Sequence, residues 1–338
     1  MGPERKDALV AKGVGRQTAG AYGLLLLTTF FWGANTVFAK LAVGEISPMA
    51  LVSLRWLGVV LVLAPFAYRS VARDWVALRA RWPYLMSMGA LGLAVFNGVF
   101  YWAAHHTSAI NIGILQGVMP MFILLGTFGL YRVRISLYQT FGVGITMLGV
   151  AVVGLEGDLD QLRTISFNWG DLLVLFACAL YAAYTIGLRR RPDTGAVNLF
   201  FALASAAFLM SLPMLLTEVN LGLTQPPTTV GWVIAALVTI FPSLLAQIFF
   251  IKGVQLIGPA RAGIFLNLVP LFAVALAFFV LDERLQMHHL VALILVVAGI
   301  GLAERSSMLG GSNDWSKVDN DDVDKGTRSA FRRRKKLG

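Results

Sequence analysis

Ten apolar stretches run along the chain, separated by short polar segments. They lie at about 20–42, 48–66, 84–104, 107–131, 135–155, 168–190, 197–217, 229–252, 257–280 and 286–304. Each, as a helix rising 1.5 Å per residue, is long enough to cross about 30 Å of hydrocarbon. The pattern predicts an all-α, polytopic membrane protein with ten transmembrane helices. Pro120, Pro242 and Pro270 fall in or near these stretches. They do not veto helix, because neighbouring spans can satisfy the backbone groups a proline frees.

The ten stretches are two sets of five. An offset of 150 residues places Pro120 on Pro270, Gly113 on Gly263, Arg134 on Arg284, Gly149 on Gly299 and Asn97 on Gln247, without a gap. An odd number of spans per set turns the second set upside down relative to the first. Inverted repeats of this kind bind substrate near the bilayer midplane and expose it to each side in turn. The predicted organisation is an N-terminal segment 1–19, a first repeat 20–155, a periplasmic linker 156–169, a second repeat 170–304 and a disordered basic cytoplasmic tail 305–338. Glycines at 113 and 117, at 142, 144 and 149, and at 299 and 301 predict close helix packing. Gly and Pro inside matched spans are also bending points for a rocking motion.

Composition agrees with the pattern. The chain is 57% hydrophobic and 14% charged, against about 25% charged in soluble domains. The net charge of +10 is topological. Segments assigned to one side hold 24 Lys and Arg, and the loops of the other hold only Arg163 and Arg284. Positive residues mark the cytoplasm, so both termini are expected inside, and nucleic-acid binding is not. The first span is too long for a signal-peptide core. Cys178 is the only cysteine, so no intrachain disulfide forms.

The spans are poor in catalytic chemistry. Glu45, Asp171, Glu218, Asp282 and Glu283 fall at outer ends, and no acid falls near a span centre. His105–His106 and His288–His289 are two pairs near the outer surface, and neither pair alone makes a metal site. No cofactor and no metal are expected. Lys40 and Arg55 are the cations inside spans. Arg55 lies about 10 Å below the outer end of the second helix. It reads either as a ligand for a substrate carboxylate or as a structural donor to neighbouring helices. Uncharged polar and aromatic residues recur at mid-depth in both halves. Trp32, Asn35, Asn97, Tyr101, Gln116, Tyr181, Gln247 and Phe250 are the candidate substrate-binding residues. Asn97 and Tyr101 share a helix face, and Asn97 matches Gln247 across the repeat.

Phe31-Trp32-Gly33-Ala34-Asn35, Ile46-Ser47-Pro48 and Leu54-Arg55-Trp56 resemble the opening of EamA-type proteins of the drug/metabolite transporter superfamily. Ala260-Arg261-Ala262-Gly263 through Pro270, Asp282-Glu283-Arg284-Leu285 and Gly299-Ile300 resemble that family's second-half signature. The resemblance covers about residues 20–304. It implies ten helices, two inverted five-helix repeats and a cavity lined by the first, third, fourth, sixth, eighth and ninth helices. Arg55 stands where the family commonly has Arg. Tyr131-Arg132-Val133-Arg134 departs from the acidic turn the family carries there. Within the family, the chain is most similar to the bacterial aromatic amino acid exporters.

The expectation is a monomeric exporter of amino acids in a bacterial inner membrane, preferring aromatic ones. Its partners are a small-molecule substrate and membrane lipid. Export of other metabolites or drugs is the alternative. An embedded enzyme is disfavoured, because it needs positioned acids, bases or metal ligands.

Overall fold

The computed structural model describes residues 3–131, 136–156, 168–257 and 265–309, with side chains described over 19–131, 136–153, 155–156, 168–253, 256 and 265–303. Every regular element among these residues is a helix. The helices are α1 (Pro3–Leu41), α2 (Pro48–Ala80), α3 (Trp82–Ala103), α4 (Ala109–Tyr131), α5 (Leu137–Gly154), α6 (Trp169–Arg190), α7 (Ala196–Asn220), α8 (Thr229–Gly253, continuing to Ile257), α9 (Leu268–Leu281) and α10 (Met287–Leu309). Seven are long and apolar enough to cross a membrane, and α5, α9 and α10 add three shorter apolar helices. The linker residues 157–167, the turn 132–135, the motif 260–263 and the tail from 310 lie outside the described residues.

The packing follows the repeat. α1 lies against α8 and α9, and its counterpart α6 lies against α3 and α4. α2 pairs with α7, α4 with α9 and α5 with α10. Each of these contacts between the halves is either its own image or matched by one. A two-fold relation between the repeats produces that scheme.

One boundary differs from the sequence reading. Residues 67–80, read as a polar loop carrying Arg69, Arg73 and Arg79, continue α2 as helix. One face of this extension is apolar: Ala67 and Leu78 are buried. Its polar groups on that side bind the start of α7. Ser70 donates to Asn198 Oδ1 (2.6 Å), and Asn198 Nδ2 donates to Asp74 (2.7 Å). The exposed arginines, which suggested a loop, lie on the opposite face.

The acids expected at the outer ends serve as ties there. Glu283 accepts from the backbone N–H groups of Ala109 (2.8 Å) and Ile110 (2.9 Å). A carboxylate at a helix N-terminus satisfies orphan donors and meets the positive end of the dipole. Asp282, in a left-handed conformation at φ 53°, ends α9 just before it. Asp171 accepts from Thr107 Oγ1 (2.5 Å), and Glu218 from the N–H of Met49 (3.2 Å). Lys40 Nζ donates to the carbonyls of Ala104 (3.0 Å) and Thr107 (2.9 Å). These bonds cross between helices, so the carboxylates of this end are used in holding the bundle together.

Four irregular stretches interrupt the helices. α3 contains a π-helical segment, Ala90–Val95, and α8 contains another, Thr239–Leu245. The 150-residue offset lays one on the other. α4 breaks at Gly117 and Val118, just before Pro120, and a turn at Leu266 and Asn267 precedes α9 and Pro270. Pro242 has no N–H to give, which accounts for the irregular turn of α8. In α3 the equivalent residue is Gly92, and the Tyr184 side chain lies where a Cβ on it would stand. π-Bulges and broken helices are frequent at functional sites.

Candidate functional site

The two π segments and α2 meet around Arg55. This side chain is 6% exposed. Its Nη1 donates to Asn35 Oδ1 of α1 (3.1 Å) and to Asn97 Oδ1 (2.7 Å) and Tyr101 Oη (2.5 Å) of α3. Tyr101 Oη donates in turn to Asn35 Oδ1 (3.2 Å). The π segment of α3 orients this group. Asn97 Nδ2 donates to the Leu93 carbonyl (2.6 Å), which lies within the segment, and this turns Oδ1 toward the guanidinium. Thr239, the first residue of the α8 segment, donates to the Arg55 carbonyl (3.4 Å).

Burying an arginine at the centre of a membrane helix costs about 2.5–3.5 kcal/mol on insertion scales. A hydrogen bond to a charged group contributes about 1.5–3 kcal/mol. The bonds of Nη1 are therefore enough to hold Arg55 in place. All of its acceptors are neutral oxygens, so the positive charge itself remains uncompensated among the described residues.

The second half of the site comes from α6 and α8. The Tyr181 and Gln247 side chains lie beside each other, and Tyr181 lies within electrostatic reach of Arg55. The Tyr181 ring stacks at a tilt on Phe96 (5.0 Å between centroids) and Tyr184 (5.5 Å). Trp32 Nε1 donates to the Pro242 carbonyl (3.1 Å), which lies in the π segment, and its ring lies 5.4 Å from that of Phe250. Gln116, at the break in α4, donates to Thr36 Oγ1 (2.8 Å).

The structure thus divides the eight residues and Arg55 into four groups. Asn35, Asn97 and Tyr101 gather on Arg55. Tyr181 joins Gln247 beside them. Trp32 and Phe250 form an aromatic pair on the α8 side, and Gln116 stands apart with Thr36. Phe96, Tyr184, Thr36 and Thr239 belong to the same region and were not singled out from the sequence. Asn35, Arg55, Asn97 and Tyr101 are buried, whereas Trp32, Gln116, Tyr181, Gln247 and Phe250 are half-buried. An open cleft of about 440 Å³ lies between the second halves of α4 and α6. It is lined by Phe122, Leu125, Ile186 and other apolar side chains, with Tyr131 and Arg190 at its edge, and by none of the predicted site residues. Its lining is mostly apolar, whereas the Arg55 cluster gathers several polar groups.

The histidines make no such cluster. The His288 and His289 rings lie 4.0 Å apart at a tilt, and His289 Nδ1 accepts from the Gln286 N–H (3.1 Å). Burial, with the charges of His106 and Lys40, pushes the His105 imidazole below its usual pKa. Among the described residues no three His, Cys, Asp or Glu side chains are placed to share a metal ion.

The model of the EamA-like transporter family matches residues 19–155 and 168–304. The chain belongs to the EamA-like transporter family. Both matched stretches hold five of the ten helices and one of the two π segments. The chain is similar to YyaM, an uncharacterized transporter of Bacillus subtilis (strain 168), at 24% identity over 82% of this chain and 92% of that protein. It is also similar to YedA, an uncharacterized inner membrane transporter of Escherichia coli (strain K12), at 24% identity over 85% and 91%. A protein of known crystal structure shares the fold, with a TM-score of 0.60 at 16% identity, covering 87% of this chain and 99% of its own. A multi-pass membrane transporter is what these relatives and the ten helices have in common.

Proposed function

We propose that the protein exports amino acids across a bacterial inner membrane, preferring aromatic ones with broad specificity, by alternating access around the Arg55 cluster. The observation that carries this reading is the meeting, at the junction of the repeats, of a buried cation, side-chain amides and aromatic rings. Tyr181, Trp32 and Phe250 offer ring faces for an aromatic substrate. Gln247, Gln116 and the Arg55 group offer donors and acceptors for a zwitterion. No buried carboxylate stands in the cluster, which suits a neutral or zwitterionic substrate better than a polycation. The protein acts as a monomer, and the two repeats rock about the π segments and the breaks near Pro120 and Pro270.

Counterflow tests the proposal. Proteoliposomes loaded with unlabelled phenylalanine are expected to accumulate external radiolabelled phenylalanine, with competition by tyrosine and tryptophan. Tyr181→Ala is expected to change the ratio of aromatic to aliphatic substrates more than it changes expression. Absence of counterflow with every amino acid would reject the substrate assignment.

The orientation follows from the charge asymmetry, with both termini in the cytoplasm. Single cysteines at positions 45 and 220 are expected to react with an impermeant thiol reagent added outside intact cells. Cysteines at 76 and 192 are expected to react only after lysis. Reaction of all four from one side would overturn the topology.

A further inference from the structure

Arg55 uses only one corner of its guanidinium on the protein. Its hydrogen bonds to Asn35, Asn97 and Tyr101 all come from Nη1. Among the described residues, Nε is buried and has no acceptor, and Nη2 makes none of the side-chain bonds of this group. Nε–H and the outer N–H of Nη2 point the same way, along one edge of the planar group. That edge is the fork on which arginine binds a carboxylate through two parallel hydrogen bonds.

The surroundings fix the edge in place. Asn35, Asn97 and Tyr101 hold the opposite corner, and Asn97 is itself held by Leu93 of the π segment. The guanidinium carbon lies 5.4 Å from the Trp56 ring centroid and 5.9 Å from that of Tyr101, so aromatic faces flank the plane. None of these groups carries negative charge. The carboxylates of the described spans are engaged elsewhere: Asp171 with Thr107, Glu218 with Met49, Glu283 with Ala109 and Ile110. A buried fork with fixed orientation and an uncompensated charge is chemically complementary to one carboxylate.

We infer that the Nε–Nη2 edge of Arg55 is the subsite for the substrate's carboxylate, and that Asn35, Asn97 and Tyr101 are positioning residues rather than substrate ligands. The inference rests on the reading of this cluster as the transport site and narrows it. The substrate class is molecules with a carboxylate, and the amino group and side chain are read elsewhere. The rings of Tyr181, Phe96 and Trp32 then select the remainder of the molecule. An amine or amide lacking the carboxylate leaves the charged fork unpaired.

The test compares acids with their amides. Purified protein is titrated with phenylalanine, phenylalaninamide, 3-phenylpropionate and phenethylamine, reading thermal stabilisation and competition in counterflow. Phenylalanine and 3-phenylpropionate are expected to bind at least tenfold more tightly than phenylalaninamide and phenethylamine. In Arg55→Gln this discrimination is expected to fall to about twofold or less, and Arg55→Lys is expected to restore only part of it. A structural role alone would lower stability without changing the ratio of acid to amide. Equal binding of acids and amides by the wild type overturns the inference, even where the Arg55 variants fail to fold. A well-folded Arg55→Gln that keeps the discrimination overturns it too. Counterflow of amino acids with no preference for the carboxylate would refute this subsite and leave the transport reading standing. Preference for carboxylates without amino acid counterflow would do the reverse.

Discussion

Leucine at Gly299 is expected to prevent α5 and α10 from packing, whereas leucine two residues further on, at Gly301, is expected to be tolerated. A Cβ on Gly299 would stand 2.6 Å from the Gly142 carbonyl oxygen and 2.8 Å from the Thr146 nitrogen. A Cβ on Gly142 would stand 2.5 Å from the Gly299 carbonyl oxygen. These are backbone atoms, so no side chain can turn aside and the helices must separate. Overpacking costs about 1–3 kcal/mol where a core can yield, and here the cost is expected at or above the top of that range. At about 2–4 °C per kcal/mol for a domain of 150–250 residues, Gly299→Leu should lower the melting temperature by about 10 °C or yield no monodisperse protein. Gly144 and Gly301 have nothing within 4 Å of a Cβ. Leucine there should stay within about 0.5 kcal/mol of wild type. Thermal unfolding in detergent, followed by size exclusion, reads all of these variants. Equal damage from Gly299→Leu and Gly301→Leu would show that composition, not close approach, sets the effect.

That contrast also shows what a sequence can say. The glycines of the fifth and tenth spans predicted close packing, and the face at 142, 149 and 299 makes it. The same pattern could not say that 144 and 301 face outward, since that depends on which stripe each helix turns to its neighbour. The fold was legible because its causes are repetitive: ten stretches of membrane length and an ungapped offset of 150 residues. The end of α2 was not, because exposed arginines on one face masked the buried Ala67 and Leu78 on the other. At the site, depth and polarity picked out Asn35, Asn97, Tyr101 and Arg55. What joins them is the irregular turn in α3, whose Leu93 carbonyl accepts from Asn97 Nδ2. Pro242 marks the matching turn in α8, but Gly92 gives no such signal in α3. Its role emerges only where Tyr184 lies over it.

Asn35→Asp is expected to abolish transport of carboxylate substrates while leaving the protein folded. Asn35 Oδ1 already accepts from Arg55 and Tyr101, so an aspartate oxygen can keep both bonds. The change adds one negative charge about 3 Å from Nη1 and so compensates the guanidinium from within the protein. An adjacent cation favours the ionised carboxyl, and at neutral pH the site's net charge would fall from plus one to zero. A substrate carboxylate then meets an ion pair in place of a free cation. A tenfold loss corresponds to about 1.4 kcal/mol, modest beside the electrostatic change, so the apparent affinity for phenylalanine should fall by more than tenfold. Phenethylamine, which brings no negative charge, should lose far less. Asn35→Ala removes a positioning bond without adding charge and should fall between the two. Melting temperature separates these effects from misfolding: Asn35→Asp should unfold at or above the wild-type temperature, since the new pair replaces a charge–dipole contact. Normal phenylalanine counterflow by a stable Asn35→Asp protein would mean that the charge of Arg55 serves the fold alone.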